Sequence, residues 1–120
     1  MVPTREERFG ARVRRLREHR QIGLRQFARM MGVSATYLSK IERDELPPPA
    51  ENRVKEMARL LDQDADELLA LAGKVASDLS EIIRRRPREM ASFLRTASGL
   101  SGQELQQLMK RAGGRKEPSR

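Results

Sequence analysis

Apolar residues recur along the chain at i, i+3, i+4 and i+7, the stripe that an amphipathic helix turns toward a core. Leu24, Phe27, Ala28 and Met31 form one such stripe, and Val54, Met57, Ala58 and Leu61 another. Ala65, Leu68, Leu69 and Ala72 give a third, Met90, Phe93, Leu94 and Ala97 a fourth, and Leu105, Leu108, Met109 and Ala112 a fifth. Phe9, Val13 and Leu16 predict a first helix from about Arg5 to Arg20, and Leu79, Ile82 and Ile83 predict one that ends before Pro87. No segment alternates with the two-residue period of a strand, so the pattern predicts an all-α fold.

The punctuation between stripes agrees. Asp64 with Glu67, and Ser101 with Glu104, have the spacing of a capping box, in which side chains satisfy the orphan amides at a helix start. Gly73, Gly99 and the pair Gly113–Gly114 stand where helices should stop. Pro87 can begin a helix but not sit inside one, so ASDLSEIIRRRPREMASFLRTA reads as two helices or one kinked helix. Five short helices are expected in residues 1–73 and about three in a helical segment over residues 74–112. The tail GGRKEPSR, residues 113–120, has nothing to bury and is expected to be disordered.

Composition narrows the partners. With 3% aromatic residues, the core must come from Leu, Ile, Val, Met and Ala, with Phe9, Phe27 and Phe93 as the bulky exceptions. No cysteine and a single histidine, His19, exclude a disulfide framework and any thiolate or His-cluster metal site. No nucleophile–base pair or glycine-rich phosphate loop is present, so the expectation is no catalytic residue, no metal, no cofactor and no enzyme. No apolar run reaches the roughly 18 residues of a membrane span, and the first residues lack a signal-peptide stretch, so a soluble, cytoplasmic protein is expected.

The net charge of +8 makes a polyanion the first partner to consider. Its distribution says more than its sum: residues 1–43 carry 11 basic against 4 acidic side chains (+7), residues 44–73 carry 3 against 8 (−5), and residues 74–120 carry 11 against 5 (+6). The charges of ARVRRLREHR surround the Phe9, Val13 and Leu16 stripe on several sides, so they cannot all face one ligand.

The stretch FARMMGVSATYLSKIERDELPPP joins two apolar-patterned runs through Gly32, which supplies the positive φ of a tight turn. On a helix starting after Ser34, steps of about 100° send Leu38 and Ile41 one way. Thr36, Ser39, Lys40 and Arg43 form the opposite stripe, with Ala35 and Tyr37 at its margins. Ser34 can cap the helix, and amides at such an N-terminus suit a phosphate oxygen. Tyr37 is equally open to a place at the core edge with a wet hydroxyl, and Met30 and Met31 read as core and core edge. Glu42 is acidic beside this basic stripe, which points to an intramolecular ion pair, Arg17 being the candidate partner.

Phe27, Ala28, Gly32, Val33, Leu38, Ile41 and Glu42 fill the pattern of the lambda-repressor/Cro-like (XRE) helix-turn-helix family, which the chain resembles from about Phe9 to Gly73. The resemblance implies a five-helix DNA-binding domain whose second hairpin helix enters the major groove. It implies double-stranded DNA as partner, with contacts from Arg25 and Gln26 and from Ser34, Ala35, Thr36, Tyr37, Ser39, Lys40 and Arg43. Many relatives carry Ser or Thr then Gln where this chain has Gly23 and Leu24, so one polar DNA-facing group is absent. The expected function is a sequence-specific transcriptional regulator, a homodimeric repressor joined through the C-terminal helices. RRRPR at 84–88 reads either as a flanking phosphate contact or as a solvated helix end. The rivals are an antitoxin that binds its own promoter while its C-terminal helices occlude a toxin enzyme, and an enzyme or small-ligand sensor.

Overall fold

The structure of the protein is a computed structural model, and it describes residues 7–115. Among the described residues there are eight helices and no strand: α1 Phe9–His19, α2 Leu24–Met31, α3 Ala35–Glu42, α4 Glu51–Leu60, α5 Ala65–Leu71, α6 Ser77–Arg85, α7 Pro87–Ala97 and α8 Gly102–Arg115. The all-α fold is as expected. The chain divides into two compact units, one ending at Ser77 and the other starting at Asp78.

The first unit has one core. Phe27, Leu38, Ile41, Met57, Leu61, Leu68, Leu69, Val13 and Val54 are fully buried, and Phe9, Ala28, Met31, Ala58 and Ala76 complete the cluster. All but Ala76 are inward-facing residues read from the sequence, drawn together because α1 packs on α3, α2 on α3 and α4, and α4 on α5. Ala76 extends this unit past Gly73, and the Ser77 amide donates to Glu51 Oε2 at 3.0 Å.

All five helices of this unit leave through a residue in the left-handed region: Gln21 (φ 59°), Gly32 (72°), Asp44 (59°), Asp62 (58°) and Gly73 (75°). Each exit makes the paired bonds of a Schellman motif. At the hairpin turn, Val33 N–H donates to the Ala28 carbonyl (3.0 Å) and Gly32 N–H to the Arg29 carbonyl (3.1 Å). The repeat of one exit geometry sets five short helices at similar sharp reversals.

Three expectations change. Arg5 lies outside the described residues, and Glu7 and Arg8 are not helical: the Glu7 carboxylate instead accepts from Arg12 Nε (2.6 Å) and from Arg15 Nε (2.8 Å) and Nη2 (3.0 Å), so α1 starts at Phe9. Gly113 and Gly114 do not stop α8, which runs to Arg115; glycine costs a helix about 1 kcal/mol but does not forbid it. The expected disorder of the rest of the tail falls outside the described residues. Met31 is the core methionine and Met30 the exposed one, because only Met31 continues the Leu24, Phe27 and Ala28 stripe.

The second unit is different in kind. Arg86 breaks the helix (φ −141°, ψ 69°) and Pro87 starts α7, so two helices rather than one kinked helix fill 77–97. Ser101 and Glu104 form a reciprocal capping box, with Ser101 N–H donating to Glu104 Oε1 (2.8 Å) and Glu104 N–H to Ser101 Oγ (3.1 Å). Among its described residues only Ala97 is buried; Phe93, expected as a core anchor, is 48% exposed and Leu94 46%. Phe93, Leu94, Ala97, Leu105, Leu108 and Met109 line an open apolar groove on α7 and α8.

Candidate nucleic-acid interface

The hairpin α2–turn–α3 presents the face that the sequence suggested. Leu38 and Ile41 are buried, while Thr36 and Lys40 are exposed on the other side of α3. Ser34 Oγ accepts from Tyr37 N–H at 3.0 Å and so caps α3. α2 has no such side-chain cap, since Gly23 precedes it, and Leu24 is half-buried against the core. Arg53 Nη1 donates to the Met31 carbonyl at 3.1 Å, tying α4 to the end of α2.

Two further contacts fix the far end of α3. Arg17 and Glu42, 7% and 5% exposed, form a bidentate pair: Nε to Oε2 at 2.7 Å and Nη2 to Oε1 at 2.9 Å. Arg17 Nη1 also donates to the Ile22 carbonyl (2.8 Å), so the buried guanidinium is well satisfied, and the bonds to Glu42 hold its pKa above the ordinary arginine value. The pairing expected from the sequence is present. Beside it, Gly10 N–H donates to Asp44 Oδ1 at 2.8 Å. A methyl group on Gly10 would overlap the Ile41 carbonyl and meet Asp44 Oδ1 and the Glu42 carbonyl at 2.8 Å. The backbone of α1 thus touches the C-terminal end of α3.

The predicted contact residues fall into three groups. Arg25, Gln26, Ser34, Thr36 and Lys40 are exposed, and among the described residues Arg25, Gln26, Thr36 and Lys40 make no side-chain hydrogen bond or ion pair. Ala35 and Tyr37 are half-buried and pack against the core, which makes Tyr37 a core-edge aromatic. Ser39 and Arg43 are engaged with each other and with an acid. Arg43 donates through Nη1 to Ser39 Oγ (2.7 Å), and through Nε and Nη2 to Glu45 (2.8 and 3.2 Å). The bonds to Glu45 raise the Arg43 pKa, and that of the Glu45 carboxyl is lowered by the bonds from Arg43 and by the charges of Arg43 and Lys40.

Ion pairing sorts the many arginines. Within and just after α1, Arg12 and Arg15 pair with Glu7, Arg14 with Glu18 (3.1 Å), Arg17 with Glu42, and Arg20 with Asp62 (3.9 Å). Arg25 and Arg29 on α2 and Lys40 on α3 have no such partner among the described residues and stay available to an outside anion. Sequence reasoning missed Gly10, Asp44 and Glu45. Gly10 had a signal, a glycine inside a helical pattern, which marks close backbone approach. Glu45 had none, because its reach to Arg43 depends on the left-handed reversal at Asp44.

A family model described as a helix-turn-helix domain matches residues 8–71. The uncharacterised HTH-type transcriptional regulator RghRB of Bacillus subtilis (strain 168) is 32% identical over 74 residues, 62% of this chain and 53% of the relative. The chain therefore spans about half the length of that curated relative. Among solved structures, SinR, the master regulator for biofilm formation, in complex with DNA is similar at 30% identity and a TM-score of 0.47, over 51% of this chain and 97% of that one. A complex of SinR with SinI is similar at 22% identity and a TM-score of 0.49, over 92% of this chain and 99% of that one.

Proposed function

The chain belongs to the helix-turn-helix domain family, and from that premise we propose that it is a sequence-specific DNA-binding transcriptional regulator, a dimeric repressor of a palindromic operator. The observation that carries this reading is the outward face of α3: Thr36 and Lys40 are exposed and unpaired on a helix anchored at both ends, with Arg25 and Gln26 exposed and unpaired in the first turn of α2. In this reading α3 enters the major groove. Lys40 and Arg43 donate to guanine O6 and N7, Thr36 and Ser39 reach base edges or phosphate, and Ser34, Arg25 and Gln26 hold the backbone. Arg43 must exchange Glu45 for its base, so its contribution is smaller than that of a free arginine.

Dimerisation through the C-terminal helices is supported by the second unit's exposed Phe93, Leu94 and Met109, which line one apolar groove that a second copy can cover. The same groove favours a second reading, an antitoxin that binds its own promoter and holds a toxin protein there. Copurification with a small unrelated protein in fixed ratio would favour it. The primary reading is tested by in vitro selection of bound duplexes followed by footprinting. Two inverted half-sites about one helical turn, ~34 Å, apart are expected, and failure to enrich any motif would refute sequence-specific binding.

A further inference from the structure

The corner between α6 and α7 holds a cluster of positive charge that the reading above does not use. Arg85, Arg86, Pro87, Arg88 and Glu89 line one shallow open hollow, and all of these side chains are exposed. The neighbouring Arg84 is committed to Glu81 at 2.6 Å, which neutralises that pair. Arg85, Arg86 and Arg88 make no ion pair or hydrogen bond among the described residues. Against them stands one carboxylate, Glu89, which reaches none of the three within salt-bridge distance. The contrast with α1 is sharp, where every arginine from Arg12 to Arg20 has an acidic partner.

We propose that this arginine corner is a second, sequence-independent binding site for the phosphodiester backbone of double-stranded DNA, carried by the C-terminal unit. Three guanidinium groups on consecutive or near-consecutive residues cannot all be buried, and folding gives them no partner. Each presents a planar fork that matches two phosphate oxygens, the geometry in which arginine outperforms lysine. Phosphates recur along a duplex at every step, so a cluster spread across a helix break can take adjacent ones without reading bases. The corner contains no base-reading amide such as Asn or Gln and no aromatic platform for an unstacked base, which favours the duplex backbone over a single strand. This site deepens the proposed function and rests on duplex DNA being the partner.

The corner and the α3 face are separable by experiment. In the full chain, amide and arginine side-chain NMR resonances are followed as a short duplex of arbitrary sequence is added. The expected result is shifts at Arg85, Arg86 and Arg88 together with shifts at Arg25 to Arg43. Shifts at the hairpin alone would overturn the corner; shifts at the corner alone would overturn the hairpin as reader; shifts at neither would overturn both. A quantitative arm uses the triple variant Arg85→Gln, Arg86→Gln, Arg88→Gln, with circular dichroism to verify retained helicity. The salt dependence of log K should flatten by ~0.9 for each phosphate no longer neutralised, up to ~2.7 per bound protomer, with the ranking of selected sequences unchanged. An unchanged slope would overturn the proposal. So would a variant that loses binding to vesicles of anionic phospholipid while keeping its duplex affinity.

Discussion

Replacing Glu42 with alanine tests whether α3 is anchored from inside. The carboxylate is 5% exposed and is the bidentate partner of an arginine that is 7% exposed, so its removal leaves a buried guanidinium with the Ile22 carbonyl as its one hydrogen-bond acceptor and the Glu18 carboxylate 4.0 Å away as a distant counter-charge. Breaking a buried pair from one side costs about 3–5 kcal/mol, a large share of the ~5–15 kcal/mol that holds an ordinary domain folded. Glu42→Gln keeps one acceptor oxygen and should cost less, about 1–3 kcal/mol. The double variant Arg17→Met, Glu42→Leu removes both charges and fills the space, so it should recover most of the loss. Urea denaturation of the four proteins ranks these costs, provided the m-values agree. A loss below about 1 kcal/mol for Glu42→Ala, the range of an exposed pair, would refute the burial argument.

Other substitutions test the frame. Gly10→Ala should destabilise by about 1–3 kcal/mol or more through overlap with the Ile41 carbonyl, although the same change in an ordinary helix stabilises by up to ~1 kcal/mol; thermal unfolding reads the sign. Gln21→Gly should stabilise by about 1 kcal/mol by relieving a left-handed residue with a Cβ. Asp44→Gly, at the same φ, should gain nothing because it also removes the acceptor of Gly10 N–H; equal gains for the two would contradict that role. Glu7 is held down to about 2 from 4.5, first by hydrogen bonds from Arg15 and then by Arg12, against the opposing effect of burial. A depressed carboxyl contributes stability that is fully present above pH 4.5 and lost as pH falls through about 2. The stability difference between wild type and Glu7→Gln, followed by denaturation across pH, should therefore be constant from about pH 5 to 7 and shrink between pH 4.5 and 2.

Much of this was legible because helical spacing does most of the placement. The 100° step alone separated Leu38 and Ile41 from Thr36 and Lys40, whereas Met30, read as core, is exposed because the stripe through Leu24, Phe27 and Ala28 continues to Met31. The unpaired acid in a basic stretch led to the Arg17–Glu42 pair. What stayed hidden depends on chain reversal. Gln21, Asp44 and Asp62 carry no glycine signal for the left-handed exits they make, and Glu45 reaches Arg43 only after such an exit. Phe93 was misplaced because an apolar stripe predicts a buried face without saying what covers it.

The central claim is that the outward face of α3 reads DNA, and the ratio of affinities for a selected and a scrambled duplex measures it directly. In Lys40→Ala, Arg43→Ala this ratio should fall by the ~1–3 kcal/mol that each base interaction contributes, with helicity and buried core intact because both side chains are exposed. A ratio equal to that of wild type would place the reading elsewhere and contradict the account.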